Sequence, residues 1–129
     1  MRPTLESASL TPLACVAEDD GLAREDIAGF FRQQGWSVFE TAVGAGALQM
    51  IREADRVHLL FTDINLADAV TGWDVAEAGR VSHPDLAVIY ASGGPKDHAR
   101  LVPGSIFLSK PVSPDDIMLA CSRLMPVAR

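Results

Sequence analysis

Six residues carry the chemistry available to this chain: Glu18, Asp19, Asp20, Asp63, Ser92 and Lys110. The first three acids follow the apolar stretch LACVA, and Asp63 follows VHLLFT; Ser92 follows LAVIYA and Lys110 follows SIFLS. Aspartate is common where strands stop and turns begin, so each residue alone reads as a turn former or a solvated charge. Gathered in one place they would be different. Two unit charges about 4 Å apart repel by roughly 1 to 4 kcal/mol, depending on the effective dielectric. A hard divalent cation relieves that repulsion, and carboxylate oxygens with a backbone carbonyl suit magnesium, which keeps several of its waters. Magnesium, an ammonium and a hydroxyl around one aspartate are the parts that stabilise a phosphoryl group in transfer. Aspartate can itself be the nucleophile, giving an aspartyl phosphate. Asp63, in the middle of the set, is the candidate.

Whether these residues meet depends on the elements that hold them. LACVA (13–17) is short, apolar and followed by acids, as a buried strand should be. Asp20 can cap a helix in which Ala23, Ile27, Phe30 and Phe31 share one face, with Gly35 as its stop. WSVFET alternates as a second strand. A weaker helix runs from about Gly44 to Ala54, with Ala47, Leu48 and Ile51 on one side. VHLLFT, nearly all apolar, is expected of a central parallel strand covered on both faces. A third helix, from Gly72 to Val81, ends at SHP, because the residue before proline avoids helical angles. LAVIYA (86–91) and SIFLS are the fourth and fifth strands. In the last helix Ser113 is the cap, Pro114 suits the first turn and Asp116 completes S-x-x-D.

Five strands alternating with helices imply an α/β fold: a parallel sheet with helices on both faces and right-handed crossovers. In such sheets the functional crevice lies at the carboxyl ends of the strands. Four strand ends then converge on the acids, Ser92 and Lys110. A flavodoxin would share this architecture, but a flavin phosphate wants a loop of small residues and backbone amides after the first strand, and EDDG is acidic.

The bulk properties agree. The 129 residues fit one domain, and no apolar run approaches the length needed to span a bilayer. The start, MRPTLESASLTP, lacks a secretory signal and reads as a short leader (1–12), which points to the cytoplasm. A net charge of −6 argues against a basic nucleic-acid face. Cys15 and Cys121 sit within apolar patterns as reduced thiols, and the three histidines form no cluster with them for zinc. Trp36 and Trp73, at element starts, are expected to pack at the core or its edge, and Lys96, Asp97 and His98 to form a solvated turn.

EDD after the first strand, FTDIN at the third, YASGG at the fourth and FLSKP at the fifth resemble, in order and spacing, the receiver domain of two-component response regulators. The resemblance covers nearly the whole chain, from Leu13 to Met125, and the expected organisation is a receiver domain at 13–126 with no output domain. It implies the flavodoxin-like strand order 2-1-3-4-5. It also implies that Asp63 is the phosphoacceptor, taking a phosphoryl group from a sensor histidine kinase or phosphotransfer protein. Asp19 and Asp63 would bind Mg2+ directly with the main-chain carbonyl of Asn65, and Glu18 would act through water. Lys110 would pair with the phosphoryl group or with Asp63, its bond to Pro111 commonly being cis. Ser92 would be the switch hydroxyl and Phe107 the switch aromatic. Such a protein is a signalling phosphoacceptor rather than a turnover enzyme. It would act through an unidentified downstream protein, without nucleic acid or membrane, as a monomer or weak dimer.

Three departures qualify that expectation. A one-residue slip would place Ala91, not Ser92, at the switch hydroxyl; alternation with Val88 and Tyr90 favours Ser92. The segment from Gly93 to Gly104 is too short for the family's ordinary fourth helix. Phe107 lacks the hydroxyl of the more frequent tyrosine. Two other function classes compete. An aspartyl-nucleophile hydrolase would want an acid where DIN has Asn65, its signature on the first strand, and a cap domain. A receiver-like interaction module that works without phosphate is the alternative reading.

Overall fold

The computed structural model describes residues 11–94 and 100–125. The order of elements is β1 (Leu13–Ala17), α1 (Gly21–Gln33), β2 (Ser37–Thr41), α2 (Gly44–Glu53), β3 (Leu59–Asp63), α3 (Gly72–Ser82), β4 (Ala87–Ser92), β5 (Ile106–Ser109) and α4 (Pro114–Leu124). The strands form one parallel sheet in the order β2-β1-β3-β4-β5, as expected.

Every residue of β3 and β4 is buried, because helices cover both faces of the sheet. On one face Leu60, Val88 and Tyr90 pack with Ala47 and Ile51 of α2 and with Trp73, Val75 and Ala76 of α3. On the other, Leu59, Phe61 and Ile89 pack with Phe31 of α1 and Ile117 and Ala120 of α4. Burying each large side chain contributes about 1.5–3 kcal/mol relative to leaving it in water.

The helix starts show how local sequence ends the strands on cue. Asp20 accepts the Leu22 and Ala23 N–H groups at the head of α1. Thr71 with Asp74, and Ser113 with Asp116, form reciprocal capping boxes on α3 and α4. Gly35, at φ 94°, makes the left-handed turn after α1. Helix α2 has no cap of its own: Val43 offers no side-chain bond, and the Asp68 carboxylate, from the loop after β3, accepts the Gly44 and Ala45 N–H groups instead.

Four strands differ from their expected bounds: β2 and β5 each begin one residue later, at Ser37 and Ile106, and β3 and β4 are shifted along the chain. Strand β4 runs from Ala87 to Ser92, one residue later than expected, because the Leu86 N–H closes a turn onto the His83 carbonyl. Strand β3 begins at Leu59 rather than Val57; the His58 side chain is occupied at the foot of β1, where its Nδ1 accepts the Leu13 N–H at 3.1 Å. Trp73 is buried and Trp36 half-buried. Both cysteines are free thiols, and burial pushes Cys15 up to about 12 and Cys121 up to about 11, which keeps them unreactive.

Between β4 and β5, the described residues 93–94 and 100–105 contain no helix. The turn expected at Lys96, Asp97 and His98 lies outside the described residues. Where the segment is described it is tied down. Arg100 pairs with Asp74 at 3.2 Å and Glu77 at 3.0 Å, its guanidinium 6.0 Å from the Trp73 ring, and the Val102 N–H donates to the Tyr90 hydroxyl at 3.2 Å. On the outer strand β2, Glu40 pairs with Arg32 at 2.7 Å and Arg24 at 3.9 Å, both from α1. No helix of the described residues is long and apolar enough to cross a membrane.

Candidate functional site

The carboxyl ends of β1, β3 and β5 bring an acidic cluster together. One carboxylate oxygen from each of Glu18, Asp19 and Asp63 lies within 4.8 Å of the others. Glu18 is fully buried, Asp63 nearly so, and Asp19 is exposed at the rim. Lys110 reaches into the cluster from the end of β5: its ammonium sits 2.9 Å from Glu18 Oε1 and 3.2 Å from Asp63 Oδ2. The Lys110–Pro111 bond is cis.

Backbone N–H groups fix Glu18 and Asp63. Glu18 Oε2 accepts the Asp20 N–H at 3.0 Å, and Asp63 Oδ1 accepts the Ile64 N–H at 3.1 Å. The buried Thr62 hydroxyl donates to the Asp63 carbonyl at 2.7 Å. Gly72, at the head of α3, donates its N–H to the Ile64 carbonyl at 2.8 Å, and its Cα faces the Asp63 carbonyl. Arg24 donates from Nη1 to the Glu18 carbonyl at 2.8 Å. These are the contributors that sequence reasoning missed. Gly72 was visible only as a helix start, and the partners of Thr62 and Arg24 had no signal at all.

One ammonium among three carboxylates leaves negative charge in excess. Burial, then the Glu18 charge, pushes the Asp63 carboxyl up to about 7. Asp19 moves the other way: burial opposes its charge, but hydrogen bonding to Asp63 and Glu18 outweighs burial and holds it below the usual carboxylate range. Lys110 is likewise raised, because its bonds to Glu18 and Asp63 overcome its partial burial. A cluster of hard oxygens with unbalanced charge suits a small divalent cation such as Mg2+.

Ser92 is the last residue of β4, buried, and level with Ser109 of β5. Its hydroxyl accepts the Gly94 N–H at 3.0 Å, and its carbonyl accepts the Lys110 N–H at 3.0 Å. Ala91, the residue a one-step slip would have chosen, is the one level with Asp63 in the β3–β4 ladder, on the same face and beside Glu18 and Lys110. Ser92 follows Val88 and Tyr90 onto the other face, and the expected switch position of Ser92 is corrected accordingly. Phe107 lies opposite Tyr90 in the β4–β5 ladder, half-buried against the core beneath α2 and α3. Asn65 is exposed in the loop two residues past Asp63.

The family model for the response regulator receiver domain matches residues 14–122. This chain belongs to that family. Among solved structures, the receiver is similar to a response regulator receiver protein from Sinorhizobium medicae, at 26% identity, with 90% of this chain and 95% of that one covered and a TM-score of 0.85. The receiver domain of the hybrid histidine kinase CckA aligns at 24% identity over 88% of this chain and 98% of its own, with a TM-score of 0.75. The response regulator TrrA from Thermotoga maritima, solved with Mg2+ and BeF, aligns at 18% identity over 89% of this chain and 100% of its own, with a TM-score of 0.76. No match was found among curated proteins.

Proposed function

We propose that this receiver accepts a phosphoryl group on Asp63, in a Mg2+-dependent transfer from a sensor histidine kinase or phosphotransfer protein. The observation that carries the reading is the Lys110 ammonium held between Glu18 and Asp63 beside a third carboxylate, at the carboxyl edge of the sheet.

In the transfer, an Asp63 carboxylate oxygen forms the new P–O bond while the donor's P–N bond breaks. The electron pair stays on the imidazole nitrogen. Asp63 Oδ1 is engaged by the Ile64 N–H, and Thr62 and Gly72 hold the backbone behind it, so Oδ2 is the oxygen that faces the ammonium. Lys110 offers its charge to the incoming phosphoryl oxygens. Mg2+, held by Asp19, Asp63 and the Asn65 main-chain carbonyl with Glu18 acting through water, would neutralise charge on those oxygens. Ala91, level with Asp63, brings no hydroxyl to a phosphoryl oxygen, and Ser92 lies with Phe107 on the other face, so the switch expected of those two has no part in this reading. The altered surface is then read by another protein. The complex of TrrA with Mg2+ and BeF supports the metal assignment by likeness of fold.

The test is incubation with Mg2+ and acetyl phosphate, followed by intact mass. A gain of about 80 Da in the native chain, absent in Asp63→Asn, is the expected result. Equal labelling of both proteins removes Asp63 as the acceptor. A downstream partner that binds identically with and without phosphate would favour the phosphate-independent module.

A further inference from the structure

The loop from Ile64 to Thr71 carries Asn65, yet its strongest side-chain anchor lies elsewhere in the fold. Asp68 Oδ1 accepts the Gly44 N–H at 2.7 Å and Oδ2 accepts the Ala45 N–H at 3.0 Å. Helix α2 has no other side-chain cap among the described residues, so this carboxylate serves two N–H groups that would otherwise lack a partner within the helix. Two further contacts reinforce the junction. The Ala67 N–H donates to the Ala42 carbonyl at 3.0 Å, and Gly44 lies so close to Val70 that a Cβ there would overlap the Val70 carbonyl oxygen. At its far end the loop is closed by the Gly72 N–H on the Ile64 carbonyl. Asn65 therefore sits on a short span pinned on both sides, with Asp63 behind it and Asp68 ahead.

We propose that Asp68 is a positioning residue for the cation site: by clamping the loop to the head of α2 it sets where the Asn65 main-chain carbonyl points. The inference rests on the reading above that this carbonyl is a metal ligand. Groups that orient ligands without touching the metal typically change affinity by about 10- to 100-fold when removed. The lower end applies here, since the clamp acts through three residues of backbone.

Mn2+ binding, followed by the electron paramagnetic resonance signal of the free ion and competed with Mg2+, tests this on the full chain. Asp68→Ala is expected to weaken binding by about tenfold. Asp68→Asn keeps one of the two acceptors, its NH2 group facing the other α2 N–H, and is expected to weaken binding less than Asp68→Ala does. Val57→Ala, a cavity in the segment that leads into β3, lowers stability without touching the clamp and is expected to bind as native. In acetyl phosphate labelling, Asp68→Ala should raise the Mg2+ concentration giving half-maximal rate while leaving the rate at saturating Mg2+ unchanged. Native affinity in Asp68→Ala overturns the inference. So does a weakening in Asp68→Ala that disappears in raised salt, which would mean that charge at a distance, not the clamp, is responsible. If native protein binds Mn2+ no better than Asp63→Asn, the metal reading itself fails.

Discussion

Gly72 stands against the main-chain carbonyl of Asp63 so closely that a Cβ on Gly72 would overlap the carbonyl oxygen. The head of α3 is thus built onto the back of the candidate phosphoacceptor. Gly72→Ala must push the two apart, and overpacking of this kind costs about 1–3 kcal/mol. The expected outcome is a lower urea midpoint together with slower acetyl phosphate labelling. An unchanged midpoint would mean the junction yields without strain.

Asp63→Asn is expected to stabilise the metal-free protein at neutral pH. The folded-state value of about 7 lies above that of an unfolded aspartate, about 3.9, so folding takes up a proton between these limits. This contribution is fully present below about pH 4 and is lost as pH rises through about 7. The variant should gain about 1–2 kcal/mol at pH 8, after allowance for a rim open to water, and nothing at pH 4. Thermal melts of both proteins at the two pH values measure the difference.

Lys110 is the cation that balances a fully buried glutamate. Lys110→Ala leaves Glu18 without it, and removing one partner of a buried pair costs about 3–5 kcal/mol. Because Lys110 is one-third exposed, about 2–3 kcal/mol is expected. Glu18→Gln in the same chain should restore most of that loss. If the double variant is no more stable than Lys110→Ala, the pair is not what holds this corner.

His58 gives a pH dependence of the opposite sign. Its Nδ1 must stay unprotonated to accept the Leu13 N–H, and burial, then Arg56, holds the ring below its ordinary value. Its contribution is present above about pH 6.5 and is lost as pH falls through the lower folded value. The Asp63 slope would mask this, so the comparison belongs in Asp63→Asn. There, stability should decline from pH 7 to 5, and His58→Gln should flatten that decline.

The strands, the cap at Ser113 and the convergence of Glu18, Asp19, Asp63 and Lys110 were legible because each is written in local pattern: apolar runs for β3 and β4, S-x-x-D, and strand ends that a parallel sheet must align, while the strand order came with the family resemblance. The alternation with Val88 and Tyr90 misled for Ser92, because that face is the one opposite Asp63, and Ala91 is the residue level with it. What escaped was partnership across long separations. Asp68 looks like a loop aspartate until Gly44, 24 residues earlier, is found under it. Val102 and Arg100 sit in a stretch rich in Gly and Pro, and only the folded sheet shows Tyr90 and α3 holding them.

The Glu40 arrangement on β2 bears on how the molecule behaves in a crowded solution. An outermost strand presents unpaired N–H and C=O groups, an open template for another chain to extend the sheet. On β2 that strand is only five residues long and carries a carboxylate gripped by two arginines of α1. A chain docking there would have to bring its own side chains alongside three fixed charges. Glu40, Arg24 and Arg32 are the charges such a chain would meet at that edge, and on the other flank β5 is only four residues long.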